Sequence, residues 1–145
     1  MIINFLKKTK DSSSNNENKD LIKIIALLIH AAKIDENYSE VEKNIIFSFV
    51  INFSKKTKEE VSAIIKKSEE DERSSNQILE YTKSVKKMDK KLKILVLETL
   101  WKIILSDNKS GQYESNLMRR ICGLLYLPDK LSGEIKLNIL EEKKL

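Results

Sequence analysis

Glycine is scarce in this chain, with three residues in 145, and proline occurs once, at Pro128. Strands joined by tight turns need those residues, so a β-rich fold is excluded at the outset. A single cysteine, Cys122, rules out an internal disulfide and suits a reducing compartment. It lies among Ile121, Leu124 and Leu125, where a thiol reads as a small buried hydrophobe. One histidine, His30, leaves no second imidazole for a zinc site or a catalytic pair, and its place opposite the main apolar stripe of its helix, near Lys23, reads as surface. Arginine is as rare: of 27 basic residues 24 are Lys, and Arg stands only at 73, 119 and 120. The net charge of +5 therefore lacks the planar forks that read base edges and phosphates, and it is weak evidence for a polyanion ligand.

Long apolar runs are missing too. Ile24–Ala32 is too short to span a membrane, and Leu92–Leu105 is broken by Lys93, Glu98 and Lys102. The apolar opening Met1–Leu6 meets Lys7, Lys8 and Lys10 at once and does not read as a signal peptide, so a cytoplasmic location is expected. No Gly-rich phosphate loop and no serine nucleophile elbow occurs, and the carboxylates fall at helix starts. A non-enzymatic chain is expected.

What is present is helical. Hydrophobics at 41% beside charged residues at 34% give the balance of a globular helical protein. Residues 10–19 carry no apolar side chain and form a linker, so residues 1–19 read as an amphipathic stub (Ile2, Ile3, Phe5, Leu6) plus that linker, and residues 20–145 as one helical domain. The first helix, about Asp20–Ile34, and the fifth, about Lys90–Ser106, are apolar almost all round and should be central. The stripe of the fifth is read as Leu92, Leu95, Val96, Thr99 and Ile103. The boxes Ser39-x-x-Glu42, Thr57-x-x-Glu60 and Ser74-x-x-Gln77 predict three helix starts, the second of these helices fading in the acidic run Glu69–Glu72. Ile78, Leu79, Tyr81 and Val85 lie on the connecting helix, a sixth spans Gln112–Leu125, and a last follows Pro128, using Leu131, Ile135, Leu137, Ile139 and Leu140. The expected fold is all-α, of about seven helices.

A shift of 72 positions places Asp35 on Asp107, Glu42 on Glu114, Leu28 on Leu100, Thr57 on Asp129, and Asn44-Ile45-Ile46 on Asn116-Leu117-Met118. That ordered set predicts two helical hairpin repeats related by a pseudo-twofold axis around one core.

An apolar helix, then an Asp-led loop with a Glu seven residues on, then an amphipathic helix, twice over, resembles the TerB (tellurite-resistance) family. The second copy, Leu97-x-x-Leu100-Trp101 to Asp107, Gln112-Tyr113-Glu114 and Arg119-Arg120-Ile121-x-Gly123-Leu124-Leu125, is most similar to the small stand-alone bacterial members. The likeness covers about residues 20–143. It departs from the usual Asp-Gly pairs, which here are Asp35-Glu36 and Asp107-Asn108. The resemblance implies a stress-associated binding module, no known enzymatic reaction, and acidic loops for which metal binding has been proposed.

Those loops offer hard oxygen donors at Asp35, Asn37, Glu42, Asp107, Asn108 and Glu114, suited to Ca²⁺ or Mg²⁺. An EF-hand is excluded, because its twelfth position falls on Ile46 and Met118. Helix capping accounts for the same Glu residues without a metal. The lysines Lys83, Lys86, Lys87, Lys90, Lys91 and Lys93 cluster at one junction, yet no aromatic side chain is expected beside them, so the cluster reads as solvated and no clear nucleic-acid site is expected. A stress-associated interaction module with a protein partner is the expected function, and divalent-cation binding by the two loops is the alternative. Neither the partner nor the oligomeric state is legible.

Overall fold

The computed structural model describes residues 18–34, 38–75, 78–107 and 112–143. These residues form seven α-helices: α1 (18–32), α2 (Glu40–Ser54), α3 (Lys58–Ser75), α4 (Ile78–Lys86), α5 (Lys90–Ile104), α6 (Gln112–Leu124) and α7 (Asp129–Lys143). A short 3₁₀ turn, Leu105–Asp107, follows α5, and no strand occurs among the described residues.

α1 and α5 sit at the centre, as their all-round apolar character predicts. In α1 every residue from Ile24 to Ile29 is buried, with Leu21, Ala31 and Ala32. In α5 Leu92, Val96, Leu97, Leu100, Trp101, Ile103 and Ile104 are buried, and α2, α4 and α7 all pack against it. Each fully buried Leu or Ile contributes roughly 1.5–3 kcal/mol relative to exposure, so these two helices anchor the core. Buried hydroxyls are satisfied within their own helices: on α5 Thr99 Oγ1 donates to the Leu95 carbonyl at 2.8 Å, and on α4 Thr82 Oγ1 donates to that of Ile78 at 3.0 Å. Trp101 Nε1 donates to Ser132 Oγ on α7 at 2.9 Å.

The starts of α2, α3 and α5 are set locally. Ser39 and Glu42 form a reciprocal capping box, Thr57 and Glu60 repeat it, and Asp89 Oδ1 accepts from the Leu92 amide at 2.9 Å. The third predicted box does not form. Ser74 lies inside α3 and its hydroxyl donates to the Glu70 carbonyl at 2.7 Å, while Gln77 lies outside the described residues. Nor does α3 fade at its acidic run. Asp71 meets Lys23 of α1 at 2.7 Å and Glu72 meets Lys33 at 2.7 Å, so α1 supplies the opposing charge that the run lacks. Glu72 also lies 3.6 Å from His30 Nδ1. His30 is therefore half-buried against α3 and not the open surface residue expected near Lys23.

Two ends depart from glycine chemistry. Lys55 and Tyr126 both adopt φ 57°, the left-handed region, at the ends of α2 and α6. At α6 the Leu127 amide donates to the Cys122 carbonyl (2.9 Å) and the Tyr126 amide to that of Gly123 (3.3 Å), which is a Schellman closure with Tyr126 where Gly is usual. An L-residue there costs on the order of 1–2 kcal/mol.

The element boundaries echo the sequence repeat. α2 begins at Glu40 and α6 at Gln112, an offset of 72 residues. The relation is one of order and length along the chain, and it does not by itself establish the expected pseudo-twofold axis.

Candidate functional site

Of the six predicted oxygen donors, Asp35, Asn37 and Asn108 lie outside the described residues. Asp107 closes the 3₁₀ turn and Glu114 lies in the first turn of α6, and only their backbone is described. Glu42 alone is placed as a side chain, and it is buried, 4% exposed. Its Oε1 accepts from the Ser39 amide at 2.8 Å and from Ser39 Oγ at 2.9 Å, while its own amide donates to Ser39 Oγ at 3.2 Å. That geometry is the cap read from the sequence. No group of three or more His, Cys, Asp or Glu side chains is assembled for a cation among the described residues.

The surroundings of the cap are acidic. Tyr38, one residue before Ser39, has a buried hydroxyl with no hydrogen-bond partner among the described residues. Burial pushes its ionisation far above the usual phenol range, and the nearby Glu69, Glu42 and Glu40 carboxylates push it the same way. Lys43 lies over the ring, 5.0 Å from its centroid, and pairs with Glu40 at 3.6 Å. The arrangement keeps Tyr38 neutral.

A second feature was not read from the sequence. Between α2 and α5 runs a groove of about 410 Å³, its α2 wall made of the apolar Val41, Ile45 and Phe49 with the polar Asn44, Ser48 and Asn52 and its α5 wall of Leu95, Thr99 and Lys102. The apolar α2 residues are spaced by four, so they share one helix face. Val41 is 56% exposed and Leu95 40% exposed. The stripe expected to bury Leu95 is thus turned outward at that position, because α2 crosses α5 beside it and leaves the gap uncovered. The groove extends past Val41, Ile45 and Lys102 to Ile139 on α7. Leu137, expected in the core, is 61% exposed on that helix, and Leu79 is exposed on α4.

Cys122 is buried as expected, and burial raises its thiol above the usual range, with an opposing hydrogen bond from Ser132. It is placed for packing. At the lysine-rich junction the side chains of Lys83, Lys86, Lys87, Lys90 and Lys91 are exposed, as expected. Tyr126, however, stands beside one of them: Lys86 Nζ is 4.5 Å from its ring centroid. The expectation that no aromatic accompanies the cluster is corrected.

No helix among the described residues is long and apolar enough to cross a membrane.

These features define an all-α domain whose α2 start is capped by Ser39 and Glu42 and whose α2 and α5 frame a groove. A family model described as tellurite resistance protein TerB matches residues 21–137, most of the chain. The chain belongs to the TerB family. No curated protein and no solved structure matches it.

Proposed function

We propose that the chain is a non-enzymatic interaction module of this tellurite-resistance-associated family, acting in the cytoplasm, and that the α2–α5 groove receives an amphipathic helix of a protein partner. The observation that carries the reading is the exposure of Val41 and Leu95 on facing walls of one groove. An incoming helix would set apolar residues at i, i+3, i+4 and i+7 into the groove, and Lys102 at its rim favours an acid on the partner. The alternative is a divalent cation held by the acidic loops; Glu42, the one of its donors whose side chain is described, is bonded as a cap.

The test uses two exposed leucines. Leu95→Asp places a charge in the groove without disturbing a buried position, and Leu137→Asp does the same on the outer face of α7. Co-purification from the host should recover a partner with wild type and Leu137→Asp but not with Leu95→Asp. Equal recovery with all three, at unchanged melting temperature, overturns the groove as the contact face.

A further inference from the structure

Tyr126 keeps a large aromatic ring in water, 75% exposed, on a backbone conformation that disfavours any side chain. Packing does not explain it, because its ring contact is Lys86, whose Nζ lies 4.5 Å from the centroid and 3.1 Å from the hydroxyl oxygen. Turn chemistry does not explain it either, since glycine or asparagine would close α6 with less strain. A strained residue that keeps most of its ring in water, beyond its tie to Lys86, is a pointer to binding.

Its neighbourhood supplies the charge. Lys86 meets Tyr126 directly; Lys83 lies one helical turn before it on α4, and Lys90 and Lys91 follow it in sequence at the start of α5. Among the described residues these four lysines form no ion pair. Lys83 shares a hollow with Asp20, Asp71 and Glu80, whose charges are met by Lys87 at 3.4 Å from Asp20 and by Lys23 facing Asp71 and Glu80, while Asp89 caps α5. Asp129 lines a separate hollow with Trp101 and Ser132.

We propose that this surface binds single-stranded nucleic acid, with a base stacked on the exposed ring of Tyr126 and phosphates held by Lys83, Lys86, Lys90 and Lys91. Ammonium groups are point charges that hold a backbone without reading sequence, and a flat ring accepts any base. Lys86 Nζ sits toward the hydroxyl edge of the ring, 3.1 Å from its oxygen, and the residue as a whole is 75% exposed. A duplex would use the lysines but not the ring. An anionic membrane would want a contiguous apolar face, and Leu79 is the one large aliphatic exposed on α4.

The test is fluorescence anisotropy with labelled oligothymidylate and oligouridylate of about a dozen nucleotides, the full chain being titrated at low salt. A duplex of equal length and phosphatidylglycerol vesicles run in parallel. Single strands should bind more tightly than the duplex, with log K falling on log salt at a slope of roughly −2 to −3 for three or four phosphates. Tyr126→Gly should weaken single-strand binding about fivefold or more and leave duplex binding unchanged. The same variant should raise the melting temperature, because Gly relieves the left-handed strain. Tyr126→Phe should bind as wild type, while Tyr126→Leu, which keeps the strain and loses the ring, should bind as weakly as Tyr126→Gly. Lys86→Gln should make the salt slope shallower by about one phosphate's share. Single strands bound no better than duplex, Tyr126→Gly binding as wild type, or affinity for the vesicles alone would each overturn the proposal.

Discussion

Replacing Glu42 separates a cap from a ligand, because Gln and Ala remove different things. The carboxylate is buried, and its Oε1 takes both the amide and the hydroxyl of Ser39. Glu42→Ala strips both bonds and leaves the Ser39 amide without its partner. A buried donor left unmade costs about 1–3 kcal/mol, and cap losses lie at about 0.5–2 kcal/mol, so a loss near 2 kcal/mol is expected. Glu42→Gln keeps an amide oxygen in the place of Oε1 and serves the box equally well in form. It gives up the charge at the start of α2, a helix-dipole contribution of about 0.3–1 kcal/mol. Urea denaturation in the presence of chelator reads both changes as midpoint shifts at constant slope. The expected order is wild type, then Gln close behind, then Ala well below. Millimolar Ca²⁺ or Mg²⁺ adds nothing if Glu42 is a cap alone, since only a ligand of the folded state shifts the midpoint. Equal losses for Gln and Ala that appear with metal and vanish with chelator would refute the cap reading and install the cation-binding alternative at this loop.

Three further outcomes follow from the same contacts. Cys122 should resist thiol reagents at pH 8 in the folded chain and react at once in denaturant, because burial both shields it and raises its thiol; rapid labelling of the native protein would contradict that. The melting temperature should fall as pH rises from about 9, since Cys122, Tyr38 and Lys23 all hold their protons more tightly folded than at their ordinary values of 9.0, 10.0 and 10.5. The unfolded chain sheds those protons first, so their stabilisation is complete below these values and lost above them; Tyr38→Phe should blunt the alkaline loss without cost at neutral pH, its hydroxyl having no hydrogen-bond partner among the described residues. Residues 20–73 and 89–145 expressed separately should each stay unfolded, as each would expose one largely apolar central helix; a soluble half with a cooperative melt would show independent repeats and not one core.

Legibility in the sequence followed the range of the interaction. The boxes at Ser39 and Thr57 were readable because every bond in them spans three residues. Ser74-x-x-Gln77 has the same spelling and a different fate, for the Ser74 hydroxyl turns back to Glu70 within a helix that has not ended. What keeps α3 going through Asp71 and Glu72 are Lys23 and Lys33, 48 and 39 residues away, and no local composition reports them. The central helices were recognisable by their apolar surplus. That same surplus hid which apolar position would face outward, because a helix apolar all round has no phase for its periodicity to show.

The groove was hidden for that reason, the Tyr126 surface was not, and the two differ in what would have revealed them. Leu95 becomes a groove wall only because α2 lies where it does; its neighbours in sequence are those of a core residue, and no local signal marks it. Tyr126 did carry a signal. Pro128 stands two residues after it, and a proline there marks the residues before as a helix end, where a left-handed residue is common. Reading a tyrosine at that end as a mismatch, with Lys86 not yet known to be beside it, would have singled it out as a ring held in water against its backbone preference. The groove is a consequence of packing and should tolerate conservative change along its walls. Tyr126 is a departure from local preference, so a substitution that restores the preference, Tyr126→Gly, is expected to separate stability from binding by moving them in opposite directions.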